Sequence, residues 1–209
     1  MPLQNRVDPW GELFADDSRG TFMGNRGGAL HHDDKQIVRA QKTKTWIICV
    51  TDFKGRRREV MAPGRYTELF FLDEATALAA GHRPCFECRR PDATDFLDRW
   101  KQLARRPDAK VGELDALLAD ERRIPRAPLG TGKRSYRDRL GTLPDGAMVE
   151  LDGDAWLVNA DRLHRWTSTG YATTQTRDAD RTAWVLTPRT TVAVLAGGSH
   201  PALHPSATT

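Results

Sequence analysis

Cys85 and Cys88 stand at C-x-x-C spacing in the run HRPCFECRRPD. Two thiolates on such a turn supply two of the four ligands that a tetrahedral zinc ion takes, at roughly 2.3 Å each. Cys49 is the one other cysteine of the chain and the natural third ligand. The fourth must come from a histidine or an acid. His31, His32 and His82 are the candidates, and His31 is the first choice because it lies in the glycine-rich segment ahead of Cys49. The competing use of Cys49 is a buried core residue, since TWIICVTDF is apolar on both sides of it and free cysteine packs well inside. The competing use of C-x-x-C is a redox pair. That motif wants a strand before it and a long helix after its first cysteine. Here Pro84 precedes, and Arg89, Arg90 and Pro91 follow.

Arginines surround the cysteines. Arg83, Arg89 and Arg90 flank the pair, and Arg56, Arg57 and Arg58 fall on a neighbouring hairpin. A guanidinium fork matches phosphate oxygens, so these six are candidate contacts to a nucleic-acid backbone. Ion pairing with Glu68, Asp73 or Glu87 is their competing use. Asp115, Asp120 and Glu121, near Arg122 and Arg123, are a second cluster, open to acid–base work or magnesium binding or simply to a solvated helix face. GTGKRS at 130–135 has the look of a phosphate loop. It lacks the earlier glycine and has Arg134 where the motif needs Ser or Thr, which excludes a P-loop nucleotide hydrolase.

The elements that must position these residues follow from pattern. Thr45–Phe53 predicts a buried strand, Lys54–Gly55 a turn, and Arg56–Met61 a returning strand. Tyr66–Leu72 predicts another strand. Asp73 then caps a short helix over Glu74–Ala80, stopped by Gly81. Pro91–Asp92 opens a helix over Ala93–Arg105, with Phe96, Leu97, Trp100 and Leu103 on one face. Lys110–Arg123 predicts a third helix. Beyond it Pro125, Pro128, Gly130 and Gly132 mark a linker. MVELDGDAWLV predicts a hairpin turning at Asp152–Gly153, and Leu163–Trp166, Ala183–Leu186 and Thr190–Leu195 predict further strands. Trp156, Trp166 and Trp184 are expected to fill that β-rich core, with base stacking as their competing use, and the tail from His200 to be extended. Residues 1–35, rich in Gly, Asp, Asn and Arg, predict irregular structure in which Gly24, Gly27 and Gly28 allow close backbone approach.

The fold expectation is α+β: residues 1–110 carry the zinc-binding half, 111–142 a helix and basic linker, and 143–209 a sheet or small barrel. Composition sets the outer limits. The hydrophobic share of 39% over 209 residues suffices for one domain or two small ones. No apolar run reaches the length of a membrane span and no leader-like stretch opens the chain, so a cytoplasmic protein is expected. Three cysteines do not make a disulfide framework. The net charge of +4 arises wholly in residues 1–110, which carry 20 Lys+Arg against 16 Asp+Glu.

The run FFLDEATALAAGHRPCFECRRPDA resembles the metal-binding domain of Ada DNA methylphosphotriester repair proteins, with their strand, short helix ending in A-A-G, then R-P-C-x-x-C and R-P-D. The resemblance covers about residues 66–92, and the full-length chain is similar to a group of bacterial proteins. It implies a zinc ion held by Cys85, Cys88 and two upstream ligands, and contact with DNA backbone through neighbouring basic residues. The family's upstream C-x-x-x-C pair, one member of which accepts a methyl group, is reduced here to Cys49. Shorter relatives replace one cysteine by histidine, and this chain resembles that version more. The expectation is therefore a zinc-containing nucleic-acid-binding protein, with DNA as partner, in repair or processing. The alternatives are an enzyme acting on nucleic acid, by alkyl transfer through Cys49 or by hydrolysis with acids near Asp115, and a zinc-stabilised interaction module.

Overall fold

A computed structural model describes residues 1–56, 59–122 and 135–207. It is α+β, with two six-stranded sheets. The first contains β1 (Arg6–Val7), β2 (Leu13–Phe14), β3 (Phe22–Asn25), β4 (Ile47–Val50), β5 (Leu69–Phe71) and β6 (Arg83–Pro84), in the order β2-β1-β5-β3-β4-β6. Helix α1 (Glu74–Ala79) precedes β6, and α2 (Arg90–Leu103) and α3 (Val111–Arg122) follow it. The second sheet contains β7 (Tyr136–Arg139), β8 (Met148–Leu151), β9 (Asp154–Asn159), β10 (Arg162–Thr167), β11 (Gly170–Thr176) and β12 (Thr182–Val185). Its order is β11-β10-β9-β8-β12-β7, and α4 (Arg189–Ala196) closes the chain of regular elements.

Alternation along the strands sorts residues of the first sheet between two faces. Ile48, Leu69 and Phe71 are fully buried in one core with Leu78, Phe96, Trp100 and Leu114 from the helices. Each such side chain contributes about 1.5–3 kcal/mol by leaving water. Gly24 is required on this face, because a Cβ there would stand 2.3 Å from the Ile47 carbonyl oxygen and 2.9 Å from the Phe71 ring. Cys49, Met23 and Phe70 point to the other face.

Helix α1 is buried along its whole length. Ala77 and Leu78 pack in the first core, and Ala75 and Ala79 pack against Met148, Leu157 and Tyr171 of the second sheet. Asp73 caps it by accepting from Thr76 N at 2.9 Å. The same carboxylate accepts from the Tyr171 hydroxyl at 2.9 Å and from His204 N at 3.1 Å, so one buried acid ties the cap to the second sheet and to the C-terminal segment. Gly81 ends the helix at φ +91, where a Cβ would meet Arg122 Cδ at 2.4 Å.

Several expectations differ from the structure, and Trp184, expected in the β-rich core, is exposed. Thr190–Leu195 is not a strand but most of α4. Its β-branched composition suits a sheet locally, yet Val194 and Leu195 join the first core and the Glu121 carboxylate accepts from Thr190 N and Oγ1. Tertiary packing and a capping acid from α3 outweigh propensity. Arg56 and 59–61 form no strand, and Met61 sits in a turn at φ +55. The glycine-rich N-terminal stretch contributes three short strands to the first sheet, β3 being fully integrated. From His200 to His204 the chain has no regular secondary structure, and a single turn follows at Pro205–Ala207.

Candidate metal centre

Cys49 and Cys85 arrive side by side because β4 and β6 are parallel neighbours. Ile48 pairs with Pro84, and Cys85 N donates to the Ile48 carbonyl at 2.9 Å. The chain then turns: Arg89 N donates to the Cys85 carbonyl at 3.0 Å, and Glu87 N donates to Cys85 Sγ at 3.3 Å. Cys88 thereby returns toward Cys85, and Pro91 in the first turn of α2 needs no backbone donor there. The sulfurs of Cys49, Cys85 and Cys88 all lie within 4.8 Å of one another. Thiolates around one ion at roughly 2.3 Å stand about 3.8 Å apart, so little movement is needed to close on a metal.

The electrostatics already favour one thiolate. The Cys49 thiol donates to Cys85, backbone N–H groups of Cys88 and Glu87 assist against burial, and the Cys85 thiol is pulled down to about 5. Cys49 is pushed up, by that same hydrogen bond and by burial. Burial also pushes Cys88 up. A divalent ion replaces the two remaining protons with a charge that all three sulfurs accept.

The histidines do not join this cluster. His31 is buried, but its Nδ1 lies 2.6 Å from Thr67 Oγ1, which also accepts from Leu30 N. His32 is exposed. His82 is fully buried between Trp46 and Phe71, and its Nε2 accepts from Arg26 Nε at 3.3 Å. Among the described residues no further His, Cys, Asp or Glu completes the group.

The arginines flanking the cysteine turn are structural ties. Arg83 is 5% exposed and forms a two-pronged pair with Asp115, Nε to Oδ1 at 2.7 Å and Nη2 to Oδ2 at 2.9 Å. Arg89 is equally withdrawn. It forks onto Glu74 at 2.7 and 3.0 Å and reaches Asp92. Burial works against its charge, but the Glu74 and Asp92 carboxylates outweigh it and raise its titration. Reaching a phosphate would mean tearing these pairs from the interior, so Arg83 and Arg89 are removed from the expected backbone contacts. The same pairing corrects Asp115: held by Arg83 and by the Thr45 hydroxyl, it is no free acid. Glu121 is the cap of α4. Arg56 is exposed and paired with Glu87 at 2.7 Å, and Arg90 is exposed on the first turn of α2. Arg57, Arg58, Arg123 and the 130–134 part of the glycine-rich loop lie outside the described residues.

All three cysteines line one cavity of about 470 Å³ on the face of the first sheet opposite Ile48, Leu69 and Phe71. Met23, Ile47, Val50, Phe53, Val60 and Phe70 form its apolar walls. None of these was a candidate in the sequence. Alternation in FMGN and in ELFF carried a signal, placing Met23 and Phe70 opposite the core residues Gly24 and Phe71. Comparison with protein-family models, curated proteins and solved structures finds no match to this chain. The centre therefore rests on its own geometry. Three thiolates on an open cavity make a soft donor set suited to zinc and other thiophilic ions. Among the described residues, no helix is long and apolar enough to cross a membrane.

Proposed function

We propose that this chain is a zinc metalloprotein of the open kind, in which Cys49, Cys85 and Cys88 hold the ion and a fourth position is left to a molecule in the cavity. The observation that carries the reading is the convergence of three sulfurs on the wall of a 470 Å³ cavity. Closed four-ligand sites serve structure, whereas three protein ligands plus an exchangeable one are the pattern of reactive zinc. Zinc would supply a Lewis acid there. The chain's own part is to aim the sulfurs through β4, β6 and the cysteine turn, to brace that turn with Arg83 and Arg89, and to exclude water with apolar walls. The resemblance of residues 66–92 to the Ada metal-binding domain supports zinc as the ion.

Binding and activation of a small ligand agrees with the site better than contact with DNA backbone does. Two of the arginines expected to touch phosphate are buried in ion pairs, and Arg56 is paired with Glu87. Metal analysis tests the reading: one zinc per chain is expected, and one cobalt after exchange, with the intense visible bands of a tetrahedral thiolate site. Addition of cyanide or a small thiol should shift those bands. A chain that takes up no metal, or a cobalt spectrum indifferent to added ligands, would sink the open centre. Retention of single- or double-stranded DNA at low salt, lost steeply as salt rises, would restore the nucleic-acid reading.

A further inference from the structure

One transverse row of residues crosses the open face of the first sheet. Cys49 on β4 stands opposite Met23 on β3, Met23 opposite Phe70 on β5, and Phe70 opposite Arg6 on β1. Residues paired across strands share a face. The thiolate centre is therefore the head of a line that continues through a thioether and a phenyl ring to a guanidinium three strands away, about 14 Å at the usual strand spacing. The hollow at the far end is lined by Arg6, Arg19, Asp16 and Asp17, and it meets the cysteine cavity at Val60 and Phe70. The two adjoining hollows are a candidate trough, with the three sulfurs lining one end. Arg6 closes the other end, its guanidinium 5.1 Å above the Phe70 ring and donating to the Ser18 carbonyl and to Asn5 Oδ1.

The lining selects the occupant. The floor between the ends is Met23, Phe70 and Val60. The charges around it offset one another: three arginines stand against four carboxylates, Arg56 being paired with Glu87 and Glu68 accepting from Met61 N at 2.8 Å. Among the described lining residues a polyanion finds no net positive charge, and an apolar body finds a matching wall.

Building on the open coordination position proposed above, we infer that the trough takes an elongated, mainly apolar small molecule whose one soft donor group, a thiol or thione, ligates the metal while its chain lies over Met23 and Phe70 toward Arg6. The molecule binds as a ligand, and no bond within it need break.

The cobalt-loaded full chain tests this with straight-chain thiols from ethanethiol to octanethiol, read by the shift of the visible bands. Affinity is expected to rise about fourfold per methylene, the transfer of one CH₂ from water, through the whole series, since octanethiol is shorter than the trough. Phe70→Ala is expected to abolish the gain from the last methylenes. Equal affinity of ethanethiol and octanethiol, with clear band shifts for both, would overturn the trough and leave the open metal centre standing. Absence of any shift with any thiol would overturn both. Displacement of bound octanethiol by a short oligonucleotide, with retention of that oligonucleotide, would overturn the apolar occupant. The wild-type series decides the matter even if the Phe70 variant does not fold.

Discussion

Arg83 grips both carboxylate oxygens of Asp115, thirty-two residues further along the chain, with both side chains about 6–7% exposed. The pair fastens the strand that delivers Cys85 to helix α3. Arg89 repeats the device beyond Cys88, gripping Glu74 of α1. The C-x-x-C turn is thus clamped on both sides by buried guanidinium–carboxylate forks.

Removing one member of the Arg83–Asp115 pair leaves the other charge buried and unpaired. Asp115→Ala or Arg83→Ala is expected to cost about 3–5 kcal/mol in urea unfolding. The double variant Arg83→Met with Asp115→Leu should recover a substantial part of that loss, because it leaves no orphaned charge. Costs that simply add would show that the two side chains do not act as a pair.

Cys49 should matter to metal binding as much as either member of the C-x-x-C pair. Cys49→Ser, Cys85→Ser and Cys88→Ser are each expected to drop zinc content from one per chain toward zero. His31→Ala should leave it at one while lowering stability by about 1–3 kcal/mol, since the Thr67 hydroxyl loses one of its two partners. Loss of zinc in His31→Ala, with the cysteines intact, would make that imidazole a ligand after all.

Metal uptake should release about two protons at pH 7, because Cys85 is already a thiolate while Cys49 and Cys88 are held protonated. The sign follows: raised thiol values favour the metal-free form as pH falls, so affinity climbs with pH through neutrality, at roughly two logarithmic units per pH unit. Calorimetry in buffers of different ionisation enthalpy measures the number. Release of no protons would contradict the thiol assignments.

Chelation should lower the melting temperature, and zinc at a hundredfold excess over its Kd should restore about 2.7 kcal/mol. The effect is expected to be largest for amide protection in β4, β6 and the start of α2, which carry the three sulfurs and their braces. Unchanged protection in those elements after metal removal would mean that the turn is held by its ion pairs alone.

Tyr171→Phe deletes one donor to the buried Asp73 carboxylate and is expected to cost about 1.5–3 kcal/mol, as hydrogen bonds to charged groups do. Asp73→Ala should cost more, since it also uncaps α1 and frees His204 N. Equal effects would place the whole energy in the Tyr171 contact.

Local signals made part of this molecule legible. The Asp73 cap, the alanine-rich turn of helix and Gly81 together announce α1, and the C-x-x-C spacing announces a thiolate pair, because a cap, a stop and a tight turn depend on neighbours in the chain. A buried-type strand through Cys49 was equally plain. The tertiary structure alone decided what depends on distant partners. It set Cys49 beside Cys85 through parallel pairing of β4 and β6, turned His31 to Thr67, and buried Arg83 and Arg89 against acids that the chain pattern left free. It also made a helix of Thr190–Leu195, where Glu121 could cap it and the first core could bury it. Charges and β-branched residues carry no local mark of their partners. Only packing settles whether a guanidinium meets a phosphate or a buried carboxylate, and whether Val194 faces a strand or a helix.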